Sequence, residues 1–554
     1  MTSPMAHSEL IERLLRPHAL GRAGNEAAEV VQTHASTVLL CGERAWKIKK
    51  PVHLGFLDFS TLERRRADCE REIQLNRRLA PAIYLGLSAV VRRGGTLEMV
   101  DAPSAGDDVV EWAVRMRRMP ADGMLDRLIP AGGVTAQHMR AFAARLAEFH
   151  SAAGACDPPR QHGSGERLAE RLRANLARLR ECADRAPRAV LPERRVHGAA
   201  ASPGGGDVPL EAGFLEALGG VAELWIARIV PTLNERLAAG RVRDGHGDLH
   251  TRNLCMIDGE ITAYDCLEFD DALRCTDVAA DVGFLAMDLS RLGRRDLAHE
   301  FVQAYVERSG DTGIVEPARF FGFHYAVVRA MVESIRLGQP ETPPDERHAL
   351  IRSIRDFAML AAGYAVEPAT VVMMGLPATG KSTLALAVAR HLRATVIESD
   401  RVRKELHGIA PTERGPPEMY SPRATALTYR ALAERAESVR GSVVIDASHH
   451  TRPERASSIA AAQQRGGPWL LLEVDADRAT IEARMQRRAK DPSSVSDATV
   501  TVHERLLTQR EAPHEVDEGH RLLVTSNDGQ YWIDAACQRA LHTLMLSRDA
   551  HDVP

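Results

Sequence analysis

Gly375-Leu376-Pro377-Ala378-Thr379-Gly380-Lys381-Ser382 is the stretch that most restricts what this chain can fold into. A G-x-x-x-x-G-K-S loop cradles phosphate only when a strand delivers the chain into the turn and a helix leaves it. Both flanks are present. Val371-Val-Met-Met374 is an apolar run of the kind buried on both faces of a parallel sheet, and Thr383 to Arg390 is rich in helix formers. Gly375, Pro377, Ala378, Thr379, Gly380, Lys381, Ser382 and Thr383 would surround a phosphate chain, with Lys381 neutralising the outer phosphates and Ser382 reaching magnesium. Val443-Val-Ile-Asp446 is a second buried-type strand, and its terminal Asp446 would support the same metal. Residues 368–554 therefore predict an α/β P-loop NTPase domain with a parallel sheet.

A second phosphate-handling signature lies upstream, in His246-Gly247-Asp248-Leu249-His250-Thr251-Arg252-Asn253. An aspartate five residues before an asparagine is the spacing of a protein-kinase-type catalytic loop. Asp248 would accept the proton of a substrate hydroxyl. Asn253 and a later carboxylate would hold magnesium, and Asp265, ending the strand Ile261-Thr-Ala-Tyr264, supplies that carboxylate. Taken singly, His-Gly-Asp also suits an Asx-capped turn and Asp265 a helix cap. The lysine that clamps nucleotide phosphates belongs on the third strand of such a domain. Lys47 and Lys49 share one face there by period two, and Ala45-Trp46-Lys47 favours Lys47. Glu72 is the expected partner on the following helix, while Glu63 and Glu70 read as solvated charges. No glycine-rich loop covers the phosphates, and Thr33-His34-Ala35-Ser36 stands in its place.

The order of elements fits. Short strands are expected at Glu29–Gln32, Thr37–Leu40 and Ala45–Lys49, then a charged helix capped by Ser60 and running to Leu79, then strands through Glu111–Met116 to a break at Pro120. Thr135 to Ala152 is a marked helix with apolar residues at 139, 142, 146 and 149. Residues 183–213, with four prolines and three consecutive glycines, predict a mobile insertion. Helices resume over Phe214–Ala239 and from Asp265 to Ala362, and Tyr364–Thr370 reads as a linker. The result is a bilobal, protein-kinase-like α+β domain over 1–366, with an N-lobe to about 116 and a C-lobe from about 120.

Composition narrows the class. A chain of 554 residues with 44% hydrophobic and 26% charged residues is globular and multidomain. Eight cysteines without a C-x-x-C pair predict reduced, mostly buried thiols, neither zinc site nor disulfide, and a cytoplasmic location. The N-terminal stretch MTSPMAHSELIERLLRP lacks a signal-peptide core, and no run of 18 apolar residues predicts a membrane span. A net charge of −4 offers no basic footprint for nucleic acid, which is expected at most as a strand end.

His246 to Asn253, Asp265 and Asp277-Val-Ala-Ala-Asp281 together resemble the aminoglycoside phosphotransferase family of small-molecule kinases. The resemblance implies transfer from ATP or GTP to a hydroxyl of a sugar-like or amino-alcohol acceptor, with Asp277 and Asp281 as buried supports. Val396-Ile-Glu-Ser-Asp400-Arg401-Val-Arg403 resembles the acceptor site of small P-loop kinases such as gluconate and polynucleotide 5′-kinases. That resemblance implies Asp400 as general base and Arg403 as orienter of an anion; an N-cap aspartate is compatible with it. Arg484, Arg487 and Arg488 resemble a lid closing over the transferring phosphate, and a solvated charged helix is the alternative. His449 and His450, in the loop after the Asp446 strand, read as a plain loop, with substrate contact as the alternative. The whole chain resembles bacterial fusions of an aminoglycoside-phosphotransferase-like domain with a P-loop kinase-like domain. The expected activity is ATP- and magnesium-dependent phosphorylation of a small-molecule hydroxyl. The rivals are a polynucleotide 5′-hydroxyl kinase in the C-terminal domain, and a module in which one nucleotide site only switches the other.

Overall fold

The computed structural model describes residues 5–16, 19–21, 28–33, 35–53, 58–156, 162–185, 210–410, 413, 415–488, 500–527 and 532–549. Residues 186–209 of the expected insertion, His34 and the side chain of Arg488 lie outside them. The chain forms two compact units, Met1–Leu168 with Pro231–Phe321, and Ala169–Val230 with Gly322–Pro554.

In the first unit the strands are β1 (Glu29–Gln32), β2 (Ser36–Cys41), β3 (Arg44–Lys49), β4 (Tyr84–Arg93), β5 (Thr96–Val100) and β6 (Asp108–Arg117). Among the described residues they make one antiparallel sheet in the order β1-β2-β3-β6-β4-β5. Helix α1 (Leu62–Asn76) lies against it and buries Arg65, Cys69, Glu72, Ile73 and Asn76, one face at helical spacing. That face is largely polar because it meets charged groups of the sheet: Arg65 Nε donates to Glu111 at 2.9 Å. The helix is capped by Thr61, whose hydroxyl accepts from the Arg64 amide at 3.3 Å, and not by Ser60; it stops at Asn76, short of Leu79. Helix α2 (Ala136–Ala152) is capped by Thr135 and buries Met139, Phe142, Ala143, Leu146, Ala147 and His150, while Phe149 is half-buried.

The hairpin β7–β8 (Leu254–Ile257, Glu260–Ala263) and helix α3 (Ala279–Arg291) flank the chain at 246–253. A polar core supports them. Arg236 donates to Asp277 at 2.7 and 2.9 Å and to Asp311 at 2.9 and 3.0 Å, all three groups being buried. Cys156 and Cys275, expected as thiols, are joined in a disulfide across 119 residues, with Cα atoms 5.7 Å apart. Sequence spacing could not reveal the pair, because only tertiary packing brings the segment after α2 beside the strand at 275–277. The remaining cysteines among the described residues are free, and all but Cys182 are buried. This unit has the bilobal, protein-kinase-like α+β architecture.

In the second unit β9 (Thr370–Met374), β10 (Thr395–Glu398), β11 (Val443–Asp446), β12 (Trp469–Ala476) and β13 (Arg521–Ser526) form a parallel sheet in the order β10-β11-β9-β12-β13. β9 and β11 are buried at every position, as strands covered on both faces must be. The helix α4 (Pro344–Val366) continues through Val366, so the residues expected as the start of a linker are its last turn. Every residue from Phe357 to Val366 is buried. Gly363 lies so close to the carbonyl of His391 that a Cβ would overlap it. This is the α/β P-loop architecture. No helix among the described residues is long and apolar enough to cross a membrane.

Arg236 is an exacting contact of the first unit, since removing it leaves the buried Asp277 without its cation and Asp311 with only Arg241 at 3.7 Å. Arg236→Met should destabilise that unit by about 3–5 kcal/mol. Urea unfolding followed by hydrogen exchange of α3 measures it, and a loss under about 1 kcal/mol would show that water reaches these aspartates.

Candidate functional site

In the first unit β3 presents both lysines to α1. Lys47 Nζ lies 2.9 Å from Glu72 Oε1 and 2.8 Å from Asp265 Oδ1. Lys49 Nζ lies 2.5 Å from Glu72 Oε2, 2.7 Å from Asp68 and 2.8 Å from Glu268. Glu72, with no solvent contact, therefore serves both lysines. Burial pushes the two ammonium groups down, but the surrounding carboxylates outweigh it and hold both well above the ordinary lysine value. Glu63 and Glu70 are exposed, as expected of solvated charges. The turn at Thr33–Ser36 closes on itself: the Thr33 amide donates to Ser36 O and the Ser36 amide to Thr33 Oγ1, both at 2.9 Å. Those two amides are engaged within the turn.

The loop at 246–253 is held from below by α3. Asp281 accepts from the amides of His246 at 2.7 Å and Gly247 at 2.9 Å, and from His150 Nε2 at 3.1 Å. Seven residues on, Asp288 accepts from the Thr251 amide at 2.9 Å and its hydroxyl at 2.5 Å. Burial raises Asp288, yet Arg291, His250 and the Thr251 hydroxyl pull it down to about 2. His246 is lowered by burial. Its Nδ1 accepts from the Asp248 amide at 3.3 Å, so Nε2 carries the proton given to Tyr264 O at 3.1 Å, and the ring is a neutral spacer. Asn253 Nδ2 donates to Asp248 Oδ2 at 2.9 Å and to its carbonyl at 3.0 Å. This spends the amide nitrogen and leaves Asn253 Oδ1, which only accepts, for a cation. Asp265 has a left-handed φ of 59° and its amide donates to the Tyr84 hydroxyl at 3.2 Å. The oxygen donors of Asn253 and Asp265 suit a hard cation such as magnesium. Asp248, Asn253, Asp265, Lys47, Lys49 and Glu72 are thus parts of one connected arrangement. Tyr84, Asp68, Glu268 and Asp288 belong to it too, and they carry no local signal.

In the second unit the phosphate loop leaves β9 at Gly375, where φ is +155° and a Cβ would come within 2.6 Å of the Val474 carbonyl; no side chain fits. Ala378 takes a left-handed φ of 69°, strain of the kind that collects at binding loops. Thr379 Oγ1 ties back to Leu376 O at 2.9 Å, and Lys381 Nζ is paired with Asp446. Gly375, Pro377, Ala378, Gly380, Lys381, Ser382 and Thr383 open into a cavity of about 1670 Å³ that also reaches Asp400 and Arg403. Asp400 is in the first turn of a helix over Ser399–Leu406 whose N-cap is Glu398, so the N-cap alternative for Asp400 does not hold. Arg403 is 8% exposed, donates to Met419 O at 2.8 Å and stacks 5.1 Å from the Tyr420 ring.

Arg484 braces the loop from outside the cavity: Nη1 donates to Ala378 O at 3.2 Å and Ser526 Oγ at 2.8 Å, and Nη2 to Asn527 O at 2.8 Å. Arg487 is exposed. His449 is fully buried and lowered to about 4 by burial; its Nδ1 gives a proton to Met373 O at 2.6 Å, and Nε2 accepts from Ser458 Oγ at 2.8 Å. His450 lines the cavity, 2.8 Å from Glu454, which also caps the helix Arg452–Arg465 in a Thr451-x-x-Glu454 capping box. That box was the readable signal for this pair.

Parts of the chain have counterparts among known proteins. Residues 371–513 match the model of an AAA domain family. A gluconokinase from Sinorhizobium meliloti 1021 is similar over 33% of this chain and 96% of its own, with 20% identity and a TM-score of 0.25. Amicoumacin kinase hAmiN, solved with AMP-PNP, Ca²⁺ and Ami, is similar over 64% of this chain and 96% of its own, with 14% identity and a TM-score of 0.35. The protein named "Uncharacterized protein Rv2004c" from Mycobacterium tuberculosis is 33% identical over 507 residues, 89% of this chain and 92% of its own. With a kinase-like part followed by a P-loop part, the chain belongs to the family of this mycobacterial protein.

Proposed function

We propose that the protein is a phosphotransferase that moves the terminal phosphoryl group of ATP to the hydroxyl of a small molecule at Asp248, with a second kinase site in its P-loop unit. One observation carries the reading: the Lys47 ammonium sits between Glu72 at 2.9 Å and Asp265 at 2.8 Å, the lysine–glutamate–metal-aspartate relation on which kinase-type transfer depends. Magnesium, held by Asn253 and Asp265, would neutralise phosphate charge. The protein's own groups do the rest. Lys47 clamps the phosphates, Glu72 and Lys49 fix its height, and Asp248 orients the acceptor hydroxyl and takes its proton while Asn253 holds the carboxylate in place. GTP as donor, and a sugar-like or amino-alcohol acceptor, belong to this proposal.

The reach of the second cavity from Lys381 to Asp400 and Arg403 supports a separate transfer there, with Asp400 as base and Arg403 fixing an anionic acceptor. Arg484 would act on that transfer through the loop carbonyl it holds, and Arg487 and Arg488 only if the helix that carries them closes.

Each site has its own phosphate clamp, so the full chain should bind two equivalents of Mg·AMP-PNP by calorimetry. Lys381→Ala should bind one, because positioning and charge neutralisation supply the phosphate grip. Two equivalents in that variant would remove the P-loop from the reading.

Base and metal roles separate by mutation in the first site. Asp248→Asn should lower kcat by about 10²–10⁴-fold toward an acceptor found by library screen, with nucleotide affinity little changed. Asp265→Asn should weaken Mg·nucleotide binding as well as turnover, since a metal ligand loses its charge. The reverse pattern would overturn the assignment of both residues.

A further inference from the structure

Apart from the loop at 246–253, none of whose residues lines it, the first unit holds a cavity of about 390 Å³. Its walls come from α2, from the segment 239–243 and from the helix Arg295–Ser309. Three arginines line it, Arg241, Arg243 and Arg308, against one carboxylate, Glu148. Arg308 Nη2 lies 2.8 Å from Glu148, Arg241 Nε lies 3.7 Å from Asp311, and Arg243 Nη1 donates to Ala153 O at 3.3 Å. Arg308 Nε also meets Glu148 Oε1, at 3.0 Å, but both partners are more than half exposed, unlike the buried groups around Arg236. The wall carrying Arg243 is stiff: Arg243 bridges to Ala155, next to the Cys156–Cys275 bond.

Part of the cavity's lining is polar and buried. His150 and Tyr305, 3% and 2% exposed, line it and bond each other at 2.8 Å. The other nitrogen of His150 bonds Asp281, which carries the amides of His246 and Gly247. A ligand here would therefore be separated from the support of the catalytic loop by a single imidazole ring.

We propose that this cavity binds a small dianion of the phosphate-monoester class. Guanidinium groups from two elements, converging on a pocket of small-ligand size, match the three oxygens and double charge of such a group. The imidazole and the phenol are spent on Asp281 and on each other, so the grip on the ligand falls to the guanidinium groups. The proposal is independent of what either nucleotide site transfers.

The test is calorimetric titration of glycerol 3-phosphate into the full chain already saturated with Mg·AMP-PNP, which fills the nucleotide sites, with glycerol as the uncharged control. The wild type should bind glycerol 3-phosphate and not glycerol. Arg241→Gln/Arg308→Gln should weaken that binding by at least about tenfold, since each charge-assisted bond is worth about that factor. Its affinity for Mg·AMP-PNP should stay the same. Should the double variant unfold, Arg308→Gln alone replaces it, its side chain being 54% exposed. Absence of binding in the wild type, or an affinity reduced less than about tenfold in a folded variant, overturns the proposal; the second result would assign the anion to another basic site.

Discussion

Glu72 carries a charge where water cannot reach it, and much of the first unit is arranged around that fact. A buried carboxylate is tolerated only with cations and donors at hand. β3 delivers two, on the one face that period-two alternation allows, and each takes one of the glutamate oxygens. The helix is thereby fixed in rotation against the sheet. One turn further, Asn76 transmits that fixed geometry: its amide donates to Glu72 O at 2.9 Å, and its oxygen accepts from the Cys266 amide at 2.8 Å, next to Asp265. Lys47 and Asp265 are thus positioned by one continuous set of bonds.

The two units meet the same requirement in different ways. A loop that must hold charged groups near phosphate has no ladder of its own, so its amides need acceptors or a ligand. In the first unit the acceptors are carboxylates, Asp281 and Asp288, two turns apart on one face of α3. In the second they are backbone carbonyls, Ser448 O for the Gly375 amide at 3.0 Å and Leu376 O for the Thr379 amide at 3.3 Å, in a loop shaped by a helix start and a left-handed turn at Ala378. The first loop is held fixed by permanent side-chain charge, and the second is shaped by backbone conformation.

Much of this could be read from the chain alone, and what could not has a common cause. The strand pattern located 29–32 and 45–49, the latter one residue short of the observed Arg44–Lys49, and fixed motif spacing located the P-loop and the Asp248–Asn253 pair. Lys49 was legible only as a rival of Lys47, because Asp68 and Glu268 become its partners through packing across as many as 219 residues. The Cys156–Cys275 bond and the grip of Arg484 on Ala378 are equally non-local. Ser60 is the expected cap and Thr61 the one used, since either hydroxyl suits a cap and only the backbone decides. His450 was passed over although Thr451 and Glu454 formed a legible box, since a box predicts a helix start and not what its glutamate also touches.

The buried end of α4 bears on how the molecule can be divided. From Phe357 to Val366 it has no exposed residue, and Gly363 is pressed against the carbonyl of His391 at the end of the helix that follows the phosphate loop. A fragment beginning at residue 368 would keep every motif of the P-loop and lose this cover. It would present to water a strip of apolar surface shaped to receive a helix, the kind of surface by which protein molecules adhere to one another. The motifs mark where the chemistry begins, and the protein that keeps it soluble begins earlier in the chain.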